Sequence, residues 1–259
     1  MTYDWAKVNS AVQDIAMDMY KDNWRPDYII GITRGGLVPA VLLSHMTDIP
    51  MHTLCVQLAA NGLEENTIVI YASDQGFFLG EHGFFDKRFM YEESLHMPFI
   101  IRYPGKIKPG TIVDDIITNI DFAPTLLEMA GVSSPKEVQG KSFFSNLKGE
   151  TSKDWQQSMY YHYYEYPFYH RVQPHYGIRN KRYKLIHFYY DIDVWELYDL
   201  KNDPNEMRNL INIEANSELI KELKKELYKL KENYGNKLSL EELRHISDTD
   251  FGGLESKKK

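Results

Sequence analysis

A short β-branched run in this chain stops on a cluster of oxygen-bearing side chains. Ile68-Val-Ile-Tyr71 reads as a buried parallel strand, because an apolar run of this length between polar residues suits a strand covered on both faces. It ends at Ser73-Asp74-Gln75-Gly76, at the carboxyl end of the strand, where open α/β sheets bind ligands. The oxygens of Asp74 and Gln75 are hard donors suited to Ca²⁺ or Mg²⁺. Gly76, Gly80 and Gly83 allow a tight loop, and His82 and Lys87 follow as cationic groups. This combination points to a site for an oxyanion such as sulfate or phosphate. The same residues admit a plainer reading, with Asp74 as a turn former or helix cap and His82 as a surface residue.

The rest of the chain supplies a setting. Trp5, Val8, Val12, Ile15, Ala16 and Met19 recur at helical spacing, and Pro26 ends that helix. Tyr28 to Ile32 reads as a strand, Thr33-Arg34-Gly35-Gly36 as a tight loop, Leu37 to Met46 as a helix and Met51 to Leu58 as a strand. A strand, a Gly-Gly turn with an arginine and a helix can cradle a phosphate, or can be an ordinary βα turn. Phe99 to Arg102 reads as a strand, and Ala123 to Met129 as a helix stopped at Gly131. Leu219, Leu223, Leu227 and Leu230 form one helical stripe, ending at Gly235. From Asn236 the chain is polar and reads as a flexible tail.

Longer blocks carry a resemblance. They are Tyr71 to Gly83, Asp86 to Ser94, Met97-Pro-Phe-Ile-Ile-Arg-Tyr-Pro104, Asn119 to Gly131, Tyr176 to Ile186 and Glu196-Leu-Tyr-Asp-Leu-Lys-Asn-Asp-Pro-Asn-Glu206. In this order they resemble the C-terminal half of a sulfatase, a family of the alkaline-phosphatase-like superfamily, over residues 60–235. The resemblance implies that Asp74 and Gln75 hold a divalent cation, usually calcium, and that Lys87 contacts the substrate sulfate. His82, His170 and His175 become candidates for substrate contact, within an aromatic-rich stretch from Met159 that otherwise reads as a sheet edge. Tyr183 to Phe188 and Trp195 to Leu200 become strands of a small antiparallel sheet. The family's nucleophile motif, Cys/Ser-x-Pro-x-Arg, is absent: Cys55 lacks the proline and arginine, and Ser133-Ser-Pro-Lys-Glu137 lacks the arginine. With two metal ligands in view, the cation site is expected to be weak.

A second resemblance covers residues 1–58. Pro26-Asp-Tyr-Ile-Ile-Gly-Ile-Thr-Arg-Gly-Gly36 and Ile49-Pro-Met-His-Thr-Leu54 are similar to purine phosphoribosyltransferases of the hypoxanthine/xanthine type. It implies that Arg34, Gly35 and Gly36 hold pyrophosphate. The ribose-phosphate signature is missing, since Val113-Asp-Asp-Ile-Ile-Thr118 is followed by Asn119.

The expected architecture is α/β: a mostly parallel sheet with flanking helices, a small C-terminal antiparallel sheet and a helix. The expected divisions are residues 1–58 (transferase-like), 59–150 (sulfatase-like), 151–235 (C-terminal subdomain) and 236–259 (tail). A net charge of −7 with dispersed lysines and arginines argues against nucleic-acid binding. No apolar run has membrane-spanning length, and the N-terminus lacks the pattern of a secretory signal, so a cytoplasmic location is expected. Three functions compete. They are hydrolysis of sulfuric esters on a sulfated small molecule or saccharide, incomplete without the nucleophile; purine phosphoribosyl transfer; and a non-enzymatic chimera joined near residues 58–61.

Overall fold

The computed structural model describes residues 5–21, 23, 29–30, 51–52, 62–166 and 170–249. Arg34, Gly35, Gly36 and Cys55 lie outside these residues, as does the helix expected from Leu37 to Met46. The chain divides into one unit of Met1–Val69 with Tyr103–Gly105, and another of Ile70–Arg102 with Lys106–Lys259.

In the first unit, helix α1 (Trp5–Lys21) follows the apolar spacing, with Val12 and Met19 buried. Strands β1 (Ile29–Ile30) and β2 (Met51–His52) form a parallel pair, Ile29 opposite Met51. This pair lies where the sequence placed its first two strands.

The second unit is built on an antiparallel sheet of four strands in chain order: β5 (Ser158–Tyr163), β6 (His175–Asn180), β7 (Tyr183–Phe188) and β8 (Val194–Asp199). The β6–β7 turn is closed by Asn180, whose side-chain oxygen accepts from the Arg182 and Tyr183 amides. Alternation along β7 sends Leu185 to one face and Ile186 and Phe188 to the other. On the first face Leu185 joins Ile178 and Leu197 against Leu223 and Leu227 of α5 (Ser217–Asn233) and Leu243 of α6 (Leu240–Thr249). On the second, Ile186, Phe188 and Tyr198 pack on Phe78, Met90 and Tyr91. Gly177 in β6 lets that layer close, because a Cβ there would lie 2.6 Å from the Met90 sulfur.

Two sequence expectations need correction. The polar segment from Asn236 does not simply fray: residues 240–249 are helical, with Leu243 wholly buried against the sheet. Ser239 and Glu242 supply the start signal. The Ser239 amide and hydroxyl each donate to the Glu242 carboxylate at 2.7 Å, and the Glu242 amide donates back to the Ser239 hydroxyl at 3.2 Å. The strand expected to be covered on both faces is β3 (Val69–Ala72), which pairs with β4 (Phe99–Arg102) in a separate two-stranded ladder. Ile70 and Tyr71 are 37% and 40% exposed and Ile100 is 65% exposed, since two strands alone cannot cover both of their faces. Helix α3 (Phe122–Met129) ends as expected, with Gly131 at φ +71°, and the short helix α4 (Phe144–Leu147) follows it.

Candidate active-site loop

Beyond Ala72 the chain turns at once. The Ser73 hydroxyl donates to the Gln75 carbonyl at 2.7 Å, tightening the bend that presents Asp74. Gly76 then threads against the short helix α2 (Glu92–Leu95), its amide donating to the Ser94 carbonyl at 2.8 Å. A Cβ on Gly76 would lie 2.1 Å from the Glu93 carbonyl oxygen, so only glycine fits this crossing. Phe78, wholly buried, anchors the next stretch, and its amide donates to the Asp86 carbonyl at 2.8 Å. The loop therefore returns to its own start, and Lys87 comes back beside Asp74.

The Lys87 ammonium lies 2.8 Å from the Asp74 carboxylate. That hydrogen bond, helped by the lysine's charge, holds the Asp74 carboxyl below the usual carboxylate range. Asp74 stays 78% exposed, so the pair faces solvent. Asp86 fixes the lysine's backbone: one carboxylate oxygen accepts from the Lys87 amide at 2.6 Å and the Arg88 amide at 2.7 Å. Its other oxygen pairs with the Arg88 guanidinium at 2.7 Å. His170 places Nδ1 3.7 Å from that same oxygen. The structure thus gathers Asp74, Lys87, Asp86, Arg88 and His170 on one loop system, with Gln75 next in the chain.

The other histidines are placed differently. His82, at φ 52°, stacks on Tyr91 at 4.6 Å and reaches Glu93 at 3.5 Å, so its ring is held against the protein. His175 is completely buried beneath Tyr161 and Phe188. Burial pushes its pKa down to about 4 although the ring bonds the Gln173 carbonyl at 2.7 Å. Folded this way, His175 offers no face to a substrate. His162 is likewise interior, held by Tyr160, Tyr189 and Asn236, and burial drives its pKa to about 3.

Sequence reasoning missed the ionic cluster behind the loop. Lys184 of β7, without solvent exposure, lies 2.9 Å from Glu92 and 2.7 Å from Glu206. Arg179 adds a 3.0 Å pair to Glu92. Burial opposes ionisation of Glu92, but Lys184 and Arg179 overcome it and hold the carboxyl at about 2. Glu206 also accepts from the Glu92 amide at 2.7 Å. The cluster ties the four-stranded sheet to the helix on which Gly76 rests. Its one signal in the sequence was a lysine on the same face of the strand as Ile186 and Phe188.

Asp74 and Gln75 have the donor chemistry of a hard-cation site but only part of its number. Calcium takes about 6–8 oxygens. Among the described residues no cluster of three or more His, Cys, Asp or Glu is placed to hold a metal.

The family model for the C-terminal region of N-sulphoglucosamine sulphohydrolase matches residues 80–233, a span that includes Lys87 and the whole antiparallel sheet. The chain belongs to this family. Among curated relatives of this sulfatase segment is an N-acetylglucosamine-6-O-sulfatase of Bacteroides thetaiotaomicron, 54% identical over 172 residues, covering 66% of this chain and 31% of the relative. An arylsulfatase of Clostridium perfringens is 35% identical over 192 residues, covering 71% of this chain and 38% of the relative. A solved structure of a protein in complex with its substrate D-glucosamine-2-N,6-O-disulfate superposes with a TM-score of 0.70 at 47% identity. That likeness covers 80% of this chain and 42% of the other. The chain therefore spans about a third of the length of these curated relatives and two-fifths of that structure.

Proposed function

We propose that this sulfatase segment recognises the sulfate group of a sulfated saccharide through Lys87. The supporting observation is the Lys87–Asp74 pair at 2.8 Å, at the carboxyl end of β3 and exposed to solvent. A sulfate ester offers Lys87 anionic oxygens in place of those of Asp74, and a charge-assisted bond of that kind contributes about 1.5–3 kcal/mol. Asp86 keeps the lysine from swinging away, because it holds the backbone on both sides of the Lys87 Cα. Asp74 and Gln75 would hold part of the shell of a hard divalent cation, and such an ion supplies polarisation of the sulfate oxygens. The saccharide class is supported by the relatives, one named for action on N-acetylglucosamine 6-O-sulfate groups and one solved with a glucosamine disulfate.

The 259 residues contain no Cys/Ser-x-Pro-x-Arg motif, so we assign them recognition of the ester and not its cleavage. Arg34, Gly35 and Gly36 play no part in this reading. Calorimetric titration with glucosamine 6-sulfate tests it. Lys87→Ala should weaken binding about tenfold or more. Equal affinity in the wild type and the variant would contradict the assignment.

A further inference from the structure

Away from the Asp74–Lys87 loop, a cleft of about 550 Å³ opens between residues 136–141, the entry to β5 and the end of α5. A space of this size accommodates a small ligand. Its lining is unlike a core defect, since amides and charges dominate and Leu230 and Val138 are its aliphatic residues.

The walls are held in place from behind. Buried Asp121 accepts from the Thr118 amide and hydroxyl, each at 2.8 Å, and from the Gln156 side chain at 2.9 Å. Its other oxygen accepts from the Lys141 amide at 2.9 Å. One carboxylate thus fixes both rims. Gly140 lies so close to the Ile120 carbonyl oxygen that a Cβ would come within 1.9 Å of it. The rim cannot take a side chain there without opening.

Gln156 and Ser158 of the lining are committed, to Asp121 and Glu226, but other groups facing the cleft are not. Among the described residues, no hydrogen bond or ion pair engages the side chains of Lys136, Gln139, Lys141 or Asn233. Gln157 uses its amide nitrogen on the Trp155 carbonyl at 2.9 Å and leaves its oxygen over. Side-chain amides both donate and accept, which matches the paired hydroxyls of a sugar. Lys136 and Lys141 place two ammonium groups on the rim beside Glu137, while the carboxylates of Asp121 and Glu226 are engaged behind it by Gln156 and Ser158. Tyr234 stands close enough to Asp121 to feel its charge; burial and that charge both raise its pKa, so its hydroxyl remains a donor.

We propose that this cleft is a second saccharide subsite, taking an anionic sugar unit whose sulfate or carboxylate meets Lys136 and Lys141 and whose hydroxyls meet Gln139, Gln157 and Asn233. The choice of a saccharide ligand rests on the reading of Lys87 given above; the cleft itself shares no residue with that loop.

Titration of the isotopically labelled full chain with N-acetylglucosamine 6-sulfate, followed through the side-chain amide signals of Gln157 and Asn233, tests the subsite. Those signals should shift with added sugar. The exposed double substitution Lys136→Ala/Lys141→Ala should weaken that response about tenfold or more, as expected for a lost charge-assisted contact. Lys87→Ala should leave it unchanged. Unsulfated N-acetylglucosamine should bind the wild type about as weakly as the sulfated sugar binds the double variant. Gln157→Ala, read at Asn233, provides a second variant that keeps the charge. Absence of any shift at millimolar sugar would overturn the proposal, as would an unaltered response in both cleft variants. A response lost in Lys87→Ala would also overturn it, by showing one site in place of two. Loss of the Lys87-dependent calorimetric signal alone, with the cleft response intact, would instead remove the reading of Lys87 and leave the subsite standing.

Discussion

The four-stranded sheet and the β3–β4 ladder use the same kinds of residue and treat them in opposite ways. In the sheet, Leu185 and Ile186 are wholly buried on opposite faces, one against α5 and α6, the other against the aromatic layer around Phe78. In the ladder, Ile70 and Ile100 keep a third or more of their surface in water. The sheet is a stable platform that closes its own core. The ladder carries the Asp74–Lys87 pair at its end and takes little from the hydrophobic effect. Lys87 is thus positioned by loop hydrogen bonds to Asp86 and by the ionic cluster behind α2, more than by the strand that precedes the site.

Substitutions can break this contrast, and the largest effect is expected at Lys184. Lys184→Ala leaves Glu206 and Glu92 buried near each other without their central cation, and should cost about 3–5 kcal/mol in denaturant unfolding. Leu227→Ala should cost about 2–5 kcal/mol by opening a cavity under the sheet. The matched truncation Ile100→Ala in the ladder should stay within about 0.5 kcal/mol, because that side chain is already largely hydrated. A comparable loss at Ile100 would end the distinction between the two regions.

What was legible in the sequence follows the same division. Patterns that depend on neighbours in the chain were readable: the leucine stripe of α5, the helix stop at Gly131 and the strand at Phe99, while the strand at Tyr183 came from the family resemblance. The turn at Asp74 that ends the strand was readable too, because Ser73, Asp74 and Gly76 are turn-forming residues. The pairing of Lys87 with Asp74 was not readable, since no local periodicity brings residues that far apart together. The ionic cluster was hidden for the same reason, its members Glu92, Lys184 and Glu206 lying in three separate segments. His175 was misjudged because an aromatic-rich strand does not reveal which of its faces is covered. The helix at residues 240–249 was overlooked although Ser239-Leu-Glu-Glu242 is a capping box; the surrounding polarity masked the inward Leu243.

Smaller effects refine the picture. Ser239→Ala should cost about 1 kcal/mol by removing the cap of α6, and restoring Thr at 239 should recover most of it. The Glu92 contribution should depend on pH. Its carboxyl is held at about 2 in the fold against 4.5 ordinarily, so its stabilisation is complete above pH 4.5 and lost as the pH falls towards 2. The stability gap between the wild type and Glu92→Gln should therefore narrow over that window, and a gap that stays constant would deny Glu92 its charged role.

Amide hydrogen exchange with and without glucosamine 6-sulfate tests most directly whether a stable sheet presents a sulfate-binding loop. Without ligand, the amides of Leu185 and Leu197 should exchange only through global unfolding, while those around Asp74 exchange far faster. With ligand, protection should rise at Asp74, Gln75, Lys87 and Arg88, and Lys87→Ala should abolish that rise. An unchanged loop in the presence of saturating sugar, or a rise that survives in Lys87→Ala, would contradict the account.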